Sequence, residues 1–209
     1  MPYDDGFSRQ PAGLTTAALG RVALQVVAER GVVGVTMAEV ATRLGVRAPS
    51  LYHHVRDKAA LLQLAASEAL ASFDDDRAAY SAVRDLDGWV ALTADGSRRL
   101  RRHYLAHPGL AALMQTTALP DRDQLPVPRG GLVRAQVEAL VHLGVPPVAA
   151  RSAFTTCARW TLAAVAADSS GAPGGDDASF DRGLRWLLHG LRAELDALVR
   201  VPPTSTSGA

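Results

Sequence analysis

The chain has 209 residues, of which 48% are hydrophobic, and its 22 Lys and Arg side chains against 21 Asp and Glu give a net charge of +1. This composition favours a globular protein with a sizeable core and argues against a disordered chain. The overall charge does not indicate a nucleic-acid-binding protein, so that function has to rest on local placement of charge. No apolar run approaches the roughly 18 residues that span a bilayer.

The beginning of the chain and its cysteine content bear on the compartment. Residues 1–13 are polar and acidic, lack the pattern of a signal peptide and are expected to form a flexible arm. The single cysteine, Cys157, excludes an internal disulfide framework. We therefore expect a cytoplasmic protein.

A first helix is predicted over residues 16–30, where apolar residues recur at helical spacing. This apolar face consists of Leu19, Val22, Ala23, Val26 and Val27. Gly31 follows and is expected to end the helix. We interpret this helix as a support for the elements that come next.

Residues 36–58 predict two short helices joined by a tight turn. Thr36 and Glu39 have the spacing of a capping box, which satisfies free N–H groups at a helix start. The apolar face that follows consists of Met37, Val40, Ala41 and Leu44. Gly45 can end this helix in a left-handed conformation, and Pro49 suits the first position of a second helix. A helix-turn-helix of this kind can place its second helix in the DNA major groove.

The second helix presents polar side chains outward if Leu51 and Val55 face the core. At about 100° per residue, Ser50, Tyr52 and His53 then point away from the first helix. The basic residues around them are Arg43, Arg47, Arg56 and Lys58, against one acid, Asp57. A few cations for phosphates and a few polar tips for base edges favour DNA binding.

These residues carry a family resemblance. The phrases AERG (28–31), TMAEVATRLGV (36–46) and SLYHHVRDKAALL (50–62) resemble the DNA-binding domain of tetracycline-repressor (TetR) family regulators, and the likeness extends over residues 14–70. It implies phosphate contacts by Thr36 and Tyr52, base-edge contacts by Arg47, Ala48, Ser50 and His53, and a backbone contact by Lys58. Met37 and Ala38 stand where several members carry a polar or basic residue.

The resemblance also implies the fold and the mode of action. The expected fold is all-α, with an N-terminal three-helix DNA-binding domain and a C-terminal helical bundle for regulation and dimerisation. We divide the chain into an arm (1–13), the DNA-binding domain with a connecting fourth helix (14–73), the ligand-binding and dimerisation domain (74–200) and a disordered tail (201–209). The implied function is a repressor that a small-molecule effector releases from a palindromic operator.

Helices account for most of the chain after the motif. The fourth, over residues 58–72 with Asp57 as N-cap, is the expected lever between the two domains. Later helices are predicted over 87–107, 110–117, 132–143, 147–167 and 179–199, the first of them capped by Asp87. Asp74, Asp75 and Asp76 are expected to be solvated, and loops are expected over 120–131 and 168–177.

Two further sets of residues are candidates for function. Aromatic and polar side chains on presumed inward faces suggest an effector pocket, and these are Trp89, Thr93, His103, Tyr104, Met114, Phe154 and Trp160. In tetracycline repressors a histidine near the place of Met114 helps to bind a magnesium–drug complex, which argues against that effector here. Two helix faces predict a homodimer interface, formed by Phe154, Ala158, Thr161, Leu184, Leu188, Leu191 and Leu195.

Other clusters receive a simpler interpretation. His103 and His107 have metal-ligand spacing, but a structural or pocket-lining role is favoured over metal binding. Cys157 is expected in the core, and the basic cluster at residues 98–102 is expected on a solvated face paired with acids. No catalytic motif appears, so neither an enzyme nor a cofactor is predicted. Two alternatives stay open: a DNA-binding protein without an effector, and a helical small-molecule-binding protein or enzyme.

Overall fold

The computed structural model describes residues 14–71, 73, 77–117, 127–169 and 176–200. Within these ranges the regular structure is entirely helical, which confirms the all-α fold. The helices are α1 (Thr16–Gly34), α2 (Met37–Leu44), α3 (Ala48–Leu51), α4 (Lys58–Ala71), α5 (Arg77–Tyr80), α6 (Leu86–Ala106), α7 (Leu110–Thr116), α8 (Val127–His142), α9 (Pro147–Ser169) and α10 (Asp177–Arg200). The predicted arm, the tail, the Asp74–Asp76 triplet and residues 120–126 and 170–175 of the predicted loops lie outside the described residues.

The first helix packs closely on the fourth. Leu19, Val26 and Leu61 are fully buried in the core that the two helices share. A Cβ atom at Gly20 would lie 2.9 Å from the backbone oxygen of Leu64, so only glycine allows the helices to approach this closely. At Gly31 the backbone leaves the helical conformation, with φ of 67°. The predicted end of the first helix is therefore confirmed as a kink, and a short helical segment continues from there to Gly34.

Two predicted boundaries in the C-terminal half are wrong. The N-cap of α6 is Asp85, whose carboxylate accepts a hydrogen bond from the Gly88 N–H at 2.7 Å. Asp87 lies in the first turn instead, and its carboxylate accepts from Arg192 of α10. Helix α8 begins at Val127 rather than near residue 132, because Pro128 falls in the first turn, where a missing N–H costs nothing.

Helix α6 is the centre of the C-terminal half and packs against α8, α9 and α10. Trp89 is fully buried, and its indole N–H donates to the Gln136 backbone oxygen at 3.1 Å. Among the described residues, one continuous cluster of buried side chains runs from α1 to α10. None of the described helices combines the length and apolar character needed to cross a membrane.

The two halves meet where α1 and α4 rest on α7. Gly109, the N-cap of α7, has φ of 77°, and a Cβ atom there would lie 2.8 Å from the Val27 backbone oxygen. A side chain at this position is therefore excluded both by backbone conformation and by space. The contact fixes the start of α7 against the first helix.

A matched pair of glycine substitutions tests this contact. Gly109→Ala should lower the free energy of unfolding by about 1–3 kcal/mol, because it adds backbone strain and a clash with α1. Gly96→Ala is the control, since a Cβ atom there meets nothing within 4 Å inside α6. It should raise stability by about 0.5–1 kcal/mol. Urea unfolding at one fixed protein concentration measures both, and equal effects of the two substitutions would contradict the contact.

Candidate nucleic-acid interface

Local capping interactions define the ends of α2. The Thr36 hydroxyl accepts a hydrogen bond from the Glu39 N–H at 3.0 Å, as predicted. Gly45 adopts the left-handed conformation, with φ of 69° and ψ of 26°, and ends the helix. The Glu39 side chain does not complete the predicted capping box. Its carboxylate instead contacts Arg43 at 2.8 Å and Arg30 at 3.2 Å.

Helix α3 is a single turn that two buried side chains hold in place. Leu51 is fully buried and Val55 nearly so, as the spacing predicted. The backbone continues as a turn, since the N–H groups of His54 and Val55 both donate to the Leu51 oxygen at 2.9 Å. Pro49 occupies the second helical position rather than the predicted first. Tyr52 and His53 therefore sit on the outer side of a short but anchored element.

The predicted DNA-contacting residues lie at the surface of the motif. Thr36, Arg47, Tyr52, His53 and Lys58 are exposed, and 56% of Tyr52 is open to solvent. The remaining two, Ala48 and Ser50, are half-buried. The neighbouring His54 is exposed as well, although the helical spacing did not single it out. The motif thus presents hydroxyl, phenol, imidazole, guanidinium and ammonium groups together.

The ammonium group of Lys58 is held near the kink of α1. Its Nζ atom donates to the Val33 backbone oxygen at 3.3 Å. Asp57 caps α4 as predicted, accepting from the Ala60 N–H at 2.8 Å. The start of α4 is therefore fixed beside the helix-turn-helix.

Arg43 joins α2 to α1 instead of facing solvent. Its guanidinium donates to both carboxylate oxygens of Glu29, at 2.9 and 2.7 Å, and to Glu39 at 2.8 Å. These hydrogen bonds raise the pKa of Arg43 and lower the pKa of both glutamates. Arg43 thus orients the motif, and its charge is less available to phosphates than the sequence suggested.

The predicted pocket residues fall into separate groups. Trp89 and Thr93 are buried between α5, α6 and α8, where the Thr93 hydroxyl lies 3.4 Å from the Tyr80 hydroxyl. Tyr104 and Met114 are also buried. His103 packs under the end of α4, with its Nε2 atom 2.9 Å from the Ala69 oxygen.

Phe154 and Trp160 lie elsewhere, half-buried on α9. The Trp160 ring is 5.2 Å from the ring of Phe180 on α10, and a Cβ atom at Gly183 would lie 2.6 Å from it. Five of the seven residues thus lie on α6 and α7, and two lie on α9. Their assignment to a pocket stays a prediction.

Sequence reasoning missed a buried arginine in this region. Arg101 is buried, with its Nε atom 2.9 Å from the carboxylate of Asp168, and it also contacts Asp177. Its guanidinium carbon lies 5.1 Å from the ring centre of Phe180. Arg98 and Arg99 pair with Asp181 and Asp95, as expected of this basic cluster. A solvated face was the wrong expectation for Arg101, because α6 turns it toward α9 and α10.

The predicted dimer interface needs correction for four of its residues. Thr161, Leu184, Leu188 and Leu195 are at most 3% exposed and pack inside the protomer. Phe154, Ala158 and Leu191 are half-buried. The broad leucine stripe of α10 thus serves the internal core with α6 and α9, since a helix packed on two neighbours buries a wide face.

Two other candidate chemistries have little support. Cys157 is buried, which raises the pKa of its thiol to about 12 and leaves it unreactive. Among the described residues, no group of three or more His, Cys, Asp or Glu side chains is arranged to hold a metal ion. His103 and His107 each have one ring nitrogen at a backbone oxygen.

Known proteins resemble this chain in its sequence. A family model described as "Bacterial regulatory proteins, tetR family" matches residues 20–65. The chain is 29% identical over 198 residues to the class A tetracycline repressor from transposon 1721 of Escherichia coli, covering 82% of this chain and 87% of the repressor.

Two solved structures share the fold. A TetR variant from Acinetobacter baumannii AYE, in complex with minocycline, matches with a TM-score of 0.70 and 24% identity over 88% of this chain and 99% of that one. BioQ with its double-stranded DNA operator matches with a TM-score of 0.68 and 23% identity over 87% and 99%.

The fold and the exposed motif define an all-α regulator with an N-terminal helix-turn-helix. Residues 20–65 match the tetR family of bacterial regulatory proteins, and the chain is similar to a tetracycline repressor over 82% of its length.

The Arg43 contacts predict that the stability of the folded protein depends on pH. A carboxylate whose pKa is lowered in the folded state adds stability above its ordinary value of 4.5, and that stability is lost as the pH falls through the lowered value. Arg43→Met should therefore destabilise the protein most at about pH 7, and its stability should converge on that of the wild type in acid. Arg200→Met, which removes an exposed pair with Asp196, is the control. A constant difference at all pH values would contradict the assignment.

Proposed function

We propose that this protein is a homodimeric repressor that binds a palindromic operator through residues 36–58 and leaves it when a small molecule binds. The single observation that carries the proposal is the anchored α3, whose buried Leu51 fixes the exposed Tyr52 and His53 at the surface. In this proposal residues 14–73 form the DNA-binding domain and residues 74–200 the ligand-binding and dimerisation domain. Since operator DNA lies in the bacterial cytoplasm, that location belongs to the same proposal.

The DNA contacts divide by chemistry. Thr36, Tyr52 and Lys58 are assigned to phosphates, because hydroxyl and ammonium groups bind phosphate oxygens without regard to sequence. Arg47 and His53 are assigned to base edges, with Ala48 and Ser50 close beside them on the turn. Their outward position supports this division. The clustering of these side chains on one surface also explains how a chain with a net charge of +1 can bind DNA, since only the local charge meets the phosphates.

A dimer supplies the second recognition element. Two such elements have to lie about 34–36 Å apart to read both halves of a palindrome on one face of the duplex. The outer side of α10 offers a surface for pairing, because Trp186 is 70% exposed. Exposed small residues continue the same helical face, namely Gly190, Ala193 and Ala197. Small residues allow two helices to approach closely, and the tryptophan supplies apolar area. We assign the dimer surface to this face of α10.

The effector is assigned to the C-terminal bundle. Related proteins have been solved with small molecules, the Acinetobacter baumannii TetR variant in complex with minocycline and ActR from Streptomyces coelicolor in complex with (S)-DNPA. By analogy, a ligand that binds the bundle of this chain more tightly in its DNA-free geometry would shift the population away from the operator. A magnesium–tetracycline complex is a poor candidate, since the Met114 thioether is a weak ligand for a hard cation. We infer binding rather than catalysis as the activity.

The first test measures DNA binding. A duplex is selected from the DNA flanking the gene, or from a random pool, by gel shift with the full chain. Tyr52→Ala and Lys58→Ala should each weaken binding to all duplexes, and Lys58→Ala should lower the salt dependence by about one phosphate contact. His53→Ala should instead lose about 1–3 kcal/mol of discrimination at one base pair.

Arg200→Ala is the matched control for charge, because this exposed arginine lies at the far end of α10. It should leave DNA affinity unchanged, and all variants should keep the oligomeric state. If Tyr52→Ala and Lys58→Ala bind as tightly as the wild type, the motif is not the DNA-binding surface. If His53→Ala weakens all sequences equally, its base-reading role is wrong.

The second test measures dimerisation. Trp186→Arg should shift the protein toward a monomer in analytical ultracentrifugation, because it places a charge in an apolar contact. Leu105→Arg, at an exposed leucine on α6, is the control and should remain dimeric. A Trp186→Arg protein that dimerises like the wild type would exclude this face.

A further inference from the structure

Three ion pairs join α6 to α10, and we call them the charge ladder. They are Asp87 with Arg192, Arg98 with Asp181, and Arg101 with Asp177. The start of α6 is paired with the later part of α10, and the later part of α6 with the start of α10, so the two helices run antiparallel. The N–O contact is 2.6 Å at Arg192 and 2.8 Å at Arg98.

The spacing of the ladder is the same on both helices. Asp87 and Arg98 are eleven residues apart on α6, as are Asp181 and Arg192 on α10. Eleven residues make about three helical turns, so the charges of each helix fall on one face. Each step forward along α6 is thus matched by an equal step back along α10.

The pair at Arg101 lies in the core. The Arg101 side chain is 7% exposed, and its Nε atom also contacts the Asp168 carboxylate of α9 at 2.9 Å. Its guanidinium carbon lies 5.1 Å from the ring centre of Phe180 on α10. A slide of α10 by one turn, about 5.4 Å, would carry Asp177 and Phe180 away from the guanidinium. A buried charge that loses a partner is costly, and fixing a register is a documented use of buried ionic groups.

The apolar side chains between α6 and α10 are less selective. Leu184, Leu188 and Leu195 are buried on α10 and recur at helical spacing. Such a face presents a similar surface one turn away, so burial alone distinguishes neighbouring registers weakly. A competing steric constraint comes from α9, where the Trp160 ring lies so close to Gly183 that a Cβ atom there would be 2.6 Å away.

We propose that the charge ladder sets the axial register of α10 on α6, with Arg101 as its central positioning residue, and thereby places the Trp186 face for pairing with a second copy. The pairing clause rests on the proposed function. Trp186 lies between Asp181 and Arg192 along α10, so a slide moves it by the same distance. Exposed ion pairs add little to stability, so the outer pairs act through register.

Charge exchange separates register from packing. Asp181→Arg places a cation opposite Arg98 and disfavours the native register, because interhelical charge pairs select helix alignment. Asp181→Arg combined with Arg98→Asp exchanges the two charges and should restore that register. Arg200→Asp is the control, since Arg200 pairs with Asp196 within α10 rather than across to α6.

The distance between two spin labels measures the register in the full chain without DNA. Ala106→Cys on α6 and Glu194→Cys on α10 supply exposed sites toward opposite ends of the helix contact, while Cys157 is buried. Labelled protein is diluted with excess unlabelled protein, so that distances within one chain are measured. The wild type, the charge-exchanged variant and Arg200→Asp should show one distance. Asp181→Arg should add a population displaced by about 5 Å, close to one turn.

A single wild-type distance in Asp181→Arg would overturn the proposal, because the steric contact of Trp160 with Gly183 would then suffice to hold α10. An exchanged variant that stays displaced would overturn it as well, since a charge effect has to be reversed by its partner.

The buried pair is tested separately. Arg101→Met with Asp168→Val removes both buried charges, a change that often leaves stability unaltered. The urea midpoint should therefore stay near that of the wild type, while the distance distribution of the two labels broadens. A single, unchanged distance in this variant would refute the central role of Arg101.

Analytical ultracentrifugation then tests the link to pairing. Asp181→Arg should weaken the dimer several-fold, and the charge-exchanged variant should recover the wild-type dissociation constant. A displaced α10 with an unchanged dissociation constant would refute the pairing clause. A wild-type chain that stays monomeric would refute the proposed dimer, while the label distances would still decide whether the ladder sets the register.

Discussion

The close crossing of α1 and α4 is the constraint on which the rest of the structure depends. At Gly20 the two helices approach so closely that a Cβ atom would clash with the Leu64 backbone oxygen. The two helices therefore pack as one rigid unit. The helix-turn-helix is attached to the outer side of this unit by Leu51 and Val55, and to α1 by the Glu29–Arg43 contacts. The regulatory half rests on its other side through Gly109 and His103. A shift of α4 on α6 would therefore move the whole motif.

The motif illustrates how a short recognition element gains precision from burial. A single helical turn is unstable alone, since a nucleus of this size costs more than its hydrogen bonds return. Here tertiary contacts fix it, because Leu51 and Val55 fill the core beneath it. Arg43, which precedes the turn, serves the same purpose, and its charge is therefore less available to phosphates. The surface left over is small, polar and only modestly basic, which suits a protein that reads a few base edges.

Local features were predictable from the sequence, and features that depend on distant neighbours were not. The caps at Thr36, Gly45 and Asp57 follow from residues within a few positions, and the structure confirms them. Asp87, which the sequence predicted as the N-cap of α6, pairs instead with Arg192, which lies far along the chain. Likewise, periodicity shows that the leucines of α10 are buried, but it does not show by what. Their partners proved to be α6 and α9 of the same protomer.

The most direct test of operator binding through the helix-turn-helix is a crystal structure of the full chain with its selected duplex. We expect two copies with α3 in successive major grooves, about 34–36 Å apart, and with Tyr52 and Lys58 at phosphates. Ser50 and His53 should then face base edges, while the Trp186 faces of α10 meet between the copies. A duplex bound to any surface other than residues 36–58, or a complex with one copy per site, would contradict this mode of binding.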